Sequence, residues 1–237
     1  SYARQVVEQT NLLEERYKSH TETRELFSVS SQHYAFVVNA FVSLLKRADM
    51  TRYELFLRET RTYEIIEDVK NFRSEIGVLF LNGYNRDVLT KMFDDNRLTY
   101  TSLFKARPHI FVSKSNPLAK HKVVSLEDLE DFPYLSYDQG IHNSFYYSEE
   151  ILSQIPHKKS IVVSDRATLF NLLIGLDGYT IATGILNSNL NGDNIVSIPL
   201  DIDDEIDIVY LKHEKATLSK MGEKFLDNLV KEVTFDN

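Results

Sequence analysis

The chain switches between strand and helix periodicity, and that alternation limits its fold more than any other feature. "LFSVS", from Leu26, reads as a strand. Gln32 to Ala48 reads as a helix, with Tyr34, Val37, Val38, Phe41, Leu44 and Leu45 on one apolar stripe. "YELFLRE" reads as a second strand and "TYEIIEDVKNF" as a second helix. "IGVLFL", Ile76 to Leu81, then runs apolar without a break. A strand with no polar face belongs in a sheet covered on both sides. The order βαβαβ predicts a parallel sheet with right-handed crossovers.

An extended stretch, "LTYTSLFKARPHIFVS", interrupts the alternation. "NPLAKHKVVSLEDLEDFPYLSY" predicts a turn, a short helical step and a strand. A second alternation follows: a helix over 143–154, a strand "SIVVS", a helix "RATLFNLLIGL", a strand "YTIATG" and a short helix near Ile185 to Leu190. A second extended stretch, "IDDEIDIVYLKH", leads to a last helix over Leu218 to Lys231. No low-complexity linker separates the halves. The two extended stretches fall where a chain would leave one α/β half and return to it. The expected fold class is α/β, with two Rossmann-like lobes joined by two crossing strands. Residues 24–106 with 208–237 are expected in the first lobe and 107–207 in the second.

Ahead of these lobes, residues 2 to 18 read as a helix with Tyr2, Val6, Leu13 and Tyr17 on one face. It is either a surface helix or the end of a longer helix that pairs with another chain. Its polar start is unlike a signal peptide, and no apolar run approaches the roughly 18 residues of a membrane span. The 237 residues include no cysteine, which excludes disulfides, thiolate metal sites and Cys nucleophiles. The net charge is −8 and the basic residues are scattered, so this stretch of chain lacks the basic patch of a nucleic-acid binder.

Four strand-to-helix joints carry hydroxyl or glycine residues: "SVSS", "RETRT", "SDRAT" and "IATG". Each alone reads as a helix cap, since Ser, Thr and Asp side chains accept an orphan amide N–H. Together they suggest more. Ligands of parallel sheets bind beyond the carboxyl ends of strands, and helix N-termini attract anions. Joints from both halves would line a shared cleft with donors, suited to a small carboxylate or oxyanion. Arg61 and Arg166 are its candidate fixed charges.

Catalytic and metal patterns are missing. No two of the seven histidines share a zinc-ligand spacing, and no phosphate-binding or nucleophile-elbow motif occurs. His33, beside the first joint, is the histidine closest to a ligand position. Glu149-Glu150 and Asp203-Asp204 are adjacent pairs whose side chains would diverge on a helix or strand, poor geometry for an acid dyad. The expectation is no enzyme, no catalytic residue, no metal and no cofactor beyond a small-molecule effector.

Asn116-Pro117-Leu118-Ala119, Ser125-Leu126, Asp128-Leu129 and Phe132-Pro133 resemble the segment between lobes of LysR-type transcriptional regulators. "LRETRTYEIIEDVKNFRSEIGVLFL" is similar to that family's second strand, helix and third strand, with Ser74-Glu75 departing from its usual turn. The resemblance runs from Arg24 to the C-terminus. It implies an effector-binding domain with the type 2 periplasmic-binding-protein fold. It also implies a DNA-binding winged helix-turn-helix before Ser1, with residues 1–20 ending the linker helix. DNA would be bound only through that domain. Further implied are a cytoplasmic homodimer or homotetramer, RNA polymerase as a further partner and no membrane. Phe36 and Ala40, off the main stripe of the first helix, would offer a second apolar side for pairing. The family's effector contacts map to Ser30, Ser31 and Gln32; Thr60, Arg61 and Thr62; Tyr137, Gln139 and Gly140; Asp165 and Arg166; and Thr183 and Gly184. "YDQGIHNSFYYSEE" is similar to a Gram-positive branch governing sulfur amino-acid genes. The alternative reading is a free-standing solute-binding protein of a transporter, which shares the lobes and the cleft.

Overall fold

The computed structural model describes residues 25–47, 53–186 and 193–234. In chain order its elements are β1 (Glu25–Ser31), α1 (Ala35–Arg47), β2 (Tyr53–Glu59), α2 (Thr62–Lys70), β3 (Ile76–Leu81), α3 (Arg86–Asp95), β4 (Leu98–Ala106), β5 (His109–Ser113), β6 (Tyr134–Tyr137), β7 (Ser160–Val163), α4 (Arg166–Leu176), β8 (Tyr179–Ala182), β9 (Ile195–Pro199), β10 (Ile206–His213) and α5 (Lys220–Thr234). They build two five-stranded sheets, ordered β2-β1-β3-β10-β4 and β7-β6-β8-β5-β9. In each sheet three strands run parallel, with β1 or β6 in the middle of the three. In each, the next strand is antiparallel and comes from across the molecule: β10 in the first sheet, β5 in the second. The chain therefore crosses between the sheets twice, from β4 to β5 and from β9 to β10. These are the two extended stretches, and the fold is α/β with two lobes joined by two crossing strands.

Strand β3 shows why the first lobe forms. Every one of its residues is buried. Successive side chains of a strand point to opposite faces. Leu79 and Leu81 accordingly pack with Ile65, Ile66 and Val69 of α2 and with Leu89 and Phe93 of α3. Val78 and Phe80 pack on the other face with Phe36, Val37, Ala40 and Leu44 of α1 and Phe225 and Leu229 of α5. That second cluster continues into the other lobe through Ile110, Val112, Leu118 and Tyr134, so one apolar core passes from sheet to sheet.

Several expectations need correction. Phe36 and Ala40 are not a spare apolar face: they are 1% and 0% exposed and form the core side of α1. The partly buried apolar side instead carries Val38, Val42 and Leu45, at helical spacing. No helix spans 143–154. The segment makes a single 3-10 turn at Phe145–Tyr147 and then turns, with Leu152 in the left-handed region at φ 59°. Glu149 and Glu150 accept backbone N–H groups from outside the segment, those of His33 and Tyr137, and these contacts hold the chain in turns rather than a helix. Ile185 and Leu186 are not helical, and the rest of that expected helix lies outside the described residues. So does the expected helix over 2–18. Two elements carry little sequence signal. α3 buries only Leu89 and Phe93, and β9 is a short strand beyond β5 at its sheet's edge.

Candidate functional site

The strand-to-helix joints of both lobes meet across one cleft. From the first lobe come the ends of β1 and β2, and from the second the ends of β6, β7 and β8. Polar contacts stitch the lobes together there. The His33 ring Nδ1 lies 2.8 Å from Glu149 Oε2, and the backbone N–H of His33 donates to the same oxygen at 2.8 Å. The Arg61 guanidinium holds Asp138 at 2.6 Å, and Arg166 Nε lies 3.1 Å from Glu59. The Thr62 N–H donates to Gln139 Oε1, whose own amide donates to Glu149. Gly140 turns the β6 joint at φ 61°, and a Cβ there would stand 2.8 Å from the Arg61 guanidinium, so only glycine leaves that pair in place.

Beneath these contacts lies a cavity whose walls include His33, Tyr34, Phe36 and Phe80 from the first lobe and Tyr137, Glu149, Glu150, Arg166, Phe170 and Thr183 from the second. Its volume is about 50 Å³, room for roughly three or four waters. The His33 and Tyr137 rings, both lining it, stack at 4.1 Å from one lobe to the other.

Its electrostatics follow from burial. Burial opposes the His33 imidazolium, yet the hydrogen bond and charge of Glu149, with the charge of Glu59, hold its pKa above the ordinary value. Burial, and then the charge of Glu149, pushes the Glu150 carboxyl well above the usual carboxylate range, against the N–H that Tyr137 donates to it. Burial and the same two carboxylates push the Tyr34 and Tyr137 phenols up as well. A histidine–carboxylate pair can activate a hydroxyl nucleophile. Neither neighbouring serine serves: Ser30 bonds Asp68 and Ser74, and the Ser31 Oγ has no partner.

Of the residues singled out from sequence, Tyr137, Arg166 and Thr183 line the cavity, and so does His33. Gln32, Thr62 and Gln139 form a buried hydrogen-bonded chain beside it, with Gln32 Nε2 donating to Thr62 Oγ1 at 2.6 Å. Arg61 and Gly140 belong to the rim pair with Asp138. Thr60 donates its N–H to the Ser31 carbonyl across β1 and β2. Asp165 caps α4, accepting from the Thr168 N–H and hydroxyl, which holds its own carboxyl below the ordinary range. Ser30 is spent inside the first lobe on Asp68. Gly184, at φ 83°, lies where a Cβ would meet the His109 ring. Sequence reasoning missed Tyr34, Glu149, Glu150 and Phe170. The available signal was the charged pair at 149–150 inside an aromatic, otherwise uncharged run.

A family model described as LysR substrate binding domain matches residues 30–234. Among solved structures, full-length CbnR complexed with its target DNA superposes with a TM-score of 0.64 at 13% identity, covering 97% of this chain and 79% of that one. The reduced OxyR regulatory domain from Pseudomonas aeruginosa gives 0.63 at 12% identity, covering 89% and 100%. The effector-binding domain of QuiR in complex with shikimate gives 0.58 at 16% identity, covering 88% and 97%. No curated protein matches the chain in sequence.

Proposed function

The chain belongs to the LysR substrate-binding-domain family, and from that membership we propose that it senses a small molecule between its lobes and passes the occupancy on to DNA binding. The observation that carries this reading is the cavity walled by both lobes, which three ion pairs bridge: His33–Glu149, Arg61–Asp138 and Arg166–Glu59. A ligand shifts a conformational equilibrium only by binding one state better than the other. Here one that replaces a cross-lobe pair changes how firmly the lobes close. The coupling such a switch supplies is typically about 1–3 kcal/mol.

In the finer reading the effector bears a carboxylate or oxyanion. Arg166, 19% exposed and at the N-terminus of α4, supports this: it can turn from Glu59 to a ligand anion, beside Thr183. Tyr137, His33 and the Ser31 hydroxyl complete the proposed contacts. The family and the partly buried Val38, Val42 and Leu45 face of α1 support assembly as a homodimer or homotetramer whose pairing responds to closure. Sulfur amino-acid genes as targets rest on the "YDQGIHNSFYYSEE" pattern alone.

A thermal-shift screen over keto acids, amino-acid precursors and inorganic oxyanions tests the reading, because a ligand of the native state raises its stability. At least one should stabilise the chain, and Arg166→Ala should cut that shift. A shift untouched by both Arg166→Ala and Ser31→Ala would put the anion elsewhere.

A further inference from the structure

Besides the rim pair Arg61–Asp138, three carboxylates and two basic side chains meet at the cleft, and they do not pair off evenly. His33 stands on Glu149 and Arg166 on Glu59. Glu150 is left over. It lines the cavity, is 4% exposed, accepts the Tyr137 N–H on Oε1, and its Oε2 has no hydrogen-bond partner. A buried, half-satisfied carboxyl beside a second carboxylate is costly unless a ligand completes it. Apolar side chains line the same cavity, among them Phe36, Phe80, Phe170 and Ile181.

We propose that the effector carries a protonated amine, set against Glu150 beside Glu149, on an apolar body held by those four side chains. This rests on the inter-lobe cleft being the effector site, and it adds a second recognised group to the anion proposed for Arg166. A small amphiphilic amine or a zwitterion of amino-acid type has this chemistry; an anion without basic nitrogen does not.

Binding then moves a proton. Burial and the charge of Glu149 push the Glu150 carboxyl well above its usual range, so the empty cleft favours its protonated form. Facing it are the phenols of Tyr34, just before α1, and Tyr134 of β6, both pushed up by burial and by the charge of nearby carboxylates. His33 and the Arg166–Glu59 pair act on it through Glu149 and Tyr137. When the ammonium arrives, Glu150 releases its proton to solvent and the carboxylate accepts an ammonium N–H. Affinity rises with pH until Glu150 is ionised in the empty cleft as well, then levels, and falls once the amine loses its charge.

Three probes of one shape test this on the intact chain: phenethylamine, phenylalanine and 3-phenylpropionate. Both amines should raise the melting temperature. 3-Phenylpropionate should bind about tenfold more weakly or worse. Calorimetry in buffers of different ionisation heat should show proton release with the amines. Glu150→Gln, a neutral isostere, should keep the melt, lose about tenfold or more in amine affinity, and lose the proton release. Equal binding of 3-phenylpropionate, silence from both amines, or unchanged affinity in Glu150→Gln overturns the proposal. Ala182→Phe, with Ala182→Leu as the milder filling, separates the two readings. Amine binding that survives a filled cavity sinks the site itself. Binding lost on filling but kept in Glu150→Gln sinks only the amine.

Discussion

The two lobes repeat one strand order but are clad differently. In the first, four helices cover the sheet, two on each face, and β3 is buried throughout. In the second, α4 is the one long helix among the described residues, burying only Leu169 and Leu173, and β7 is largely exposed. Turns and irregular chain cover the rest. The difference teaches where a sensor keeps its chemistry. Regular helices give the first lobe a stiff wall, whereas irregular chain in the second can aim adjacent residues, Glu149 and Glu150, at the same cleft.

The contrast can be broken first in the cores. Phe93→Ala, fully buried in the first lobe, should cost about 3–5 kcal/mol in urea unfolding, and Leu173→Ala under the thinner second lobe about 2 kcal/mol; equal losses would erase the difference. Gly140→Ala comes next. It forces a side chain into the left-handed region, at about 1–2 kcal/mol, and crowds Arg61, so X-ray scattering should show a wider molecule. A radius of gyration equal to the parent's would mean the Arg61–Asp138 pair does not hold the lobes.

The third test is pH. His33 has a raised pKa in the closed fold, so its pairing with Glu149 contributes fully below the ordinary value of 6.5 and is lost as pH rises through the raised one. An inter-lobe distance measured by paired spin labels should lengthen over that rise, and His33→Gln should flatten the step. The smallest effect belongs to the rim of the second lobe. Lys158 and Glu130 pair in the open, both more than half exposed. Lys158→Ala should leave the melting curve where it was.

What was legible in the sequence was local. "IGVLFL" announced a strand buried on both faces because its own side chains carry the message. The "NPLA" and "SLEDL" segments that carry the family resemblance turn out to hold turns. Asn116 Oδ1 accepts from the Leu118 N–H while its amide donates to the Asp177 carbonyl, and Asp128 accepts from the Ser125 N–H and hydroxyl. The Asn116–Leu118 and Ser125–Asp128 bonds are short-range and leave a spacing that can be read, whereas the Asn116–Asp177 bond spans 61 positions. The cleft leaves no such spacing. Glu149 meets His33 across 116 positions of chain, and no spacing signals that pairing. The joint hydroxyls read equally as caps or ligand donors, and the structure divides them: Asp165 caps and Ser30 is spent on Asp68, while Thr183 lines the cavity.

The crossing strands have a consequence for how the molecule is made. β10 sits between β3 and β4, and it is the last strand to leave the ribosome. Until residues 206–213 emerge, β3 and β4 have no strand to join them. The lobe that begins first is thus completed last, after the other is already whole. A premature stop after β9 would spare the second lobe and unmake the first, leaving half of the cleft with nothing to close against.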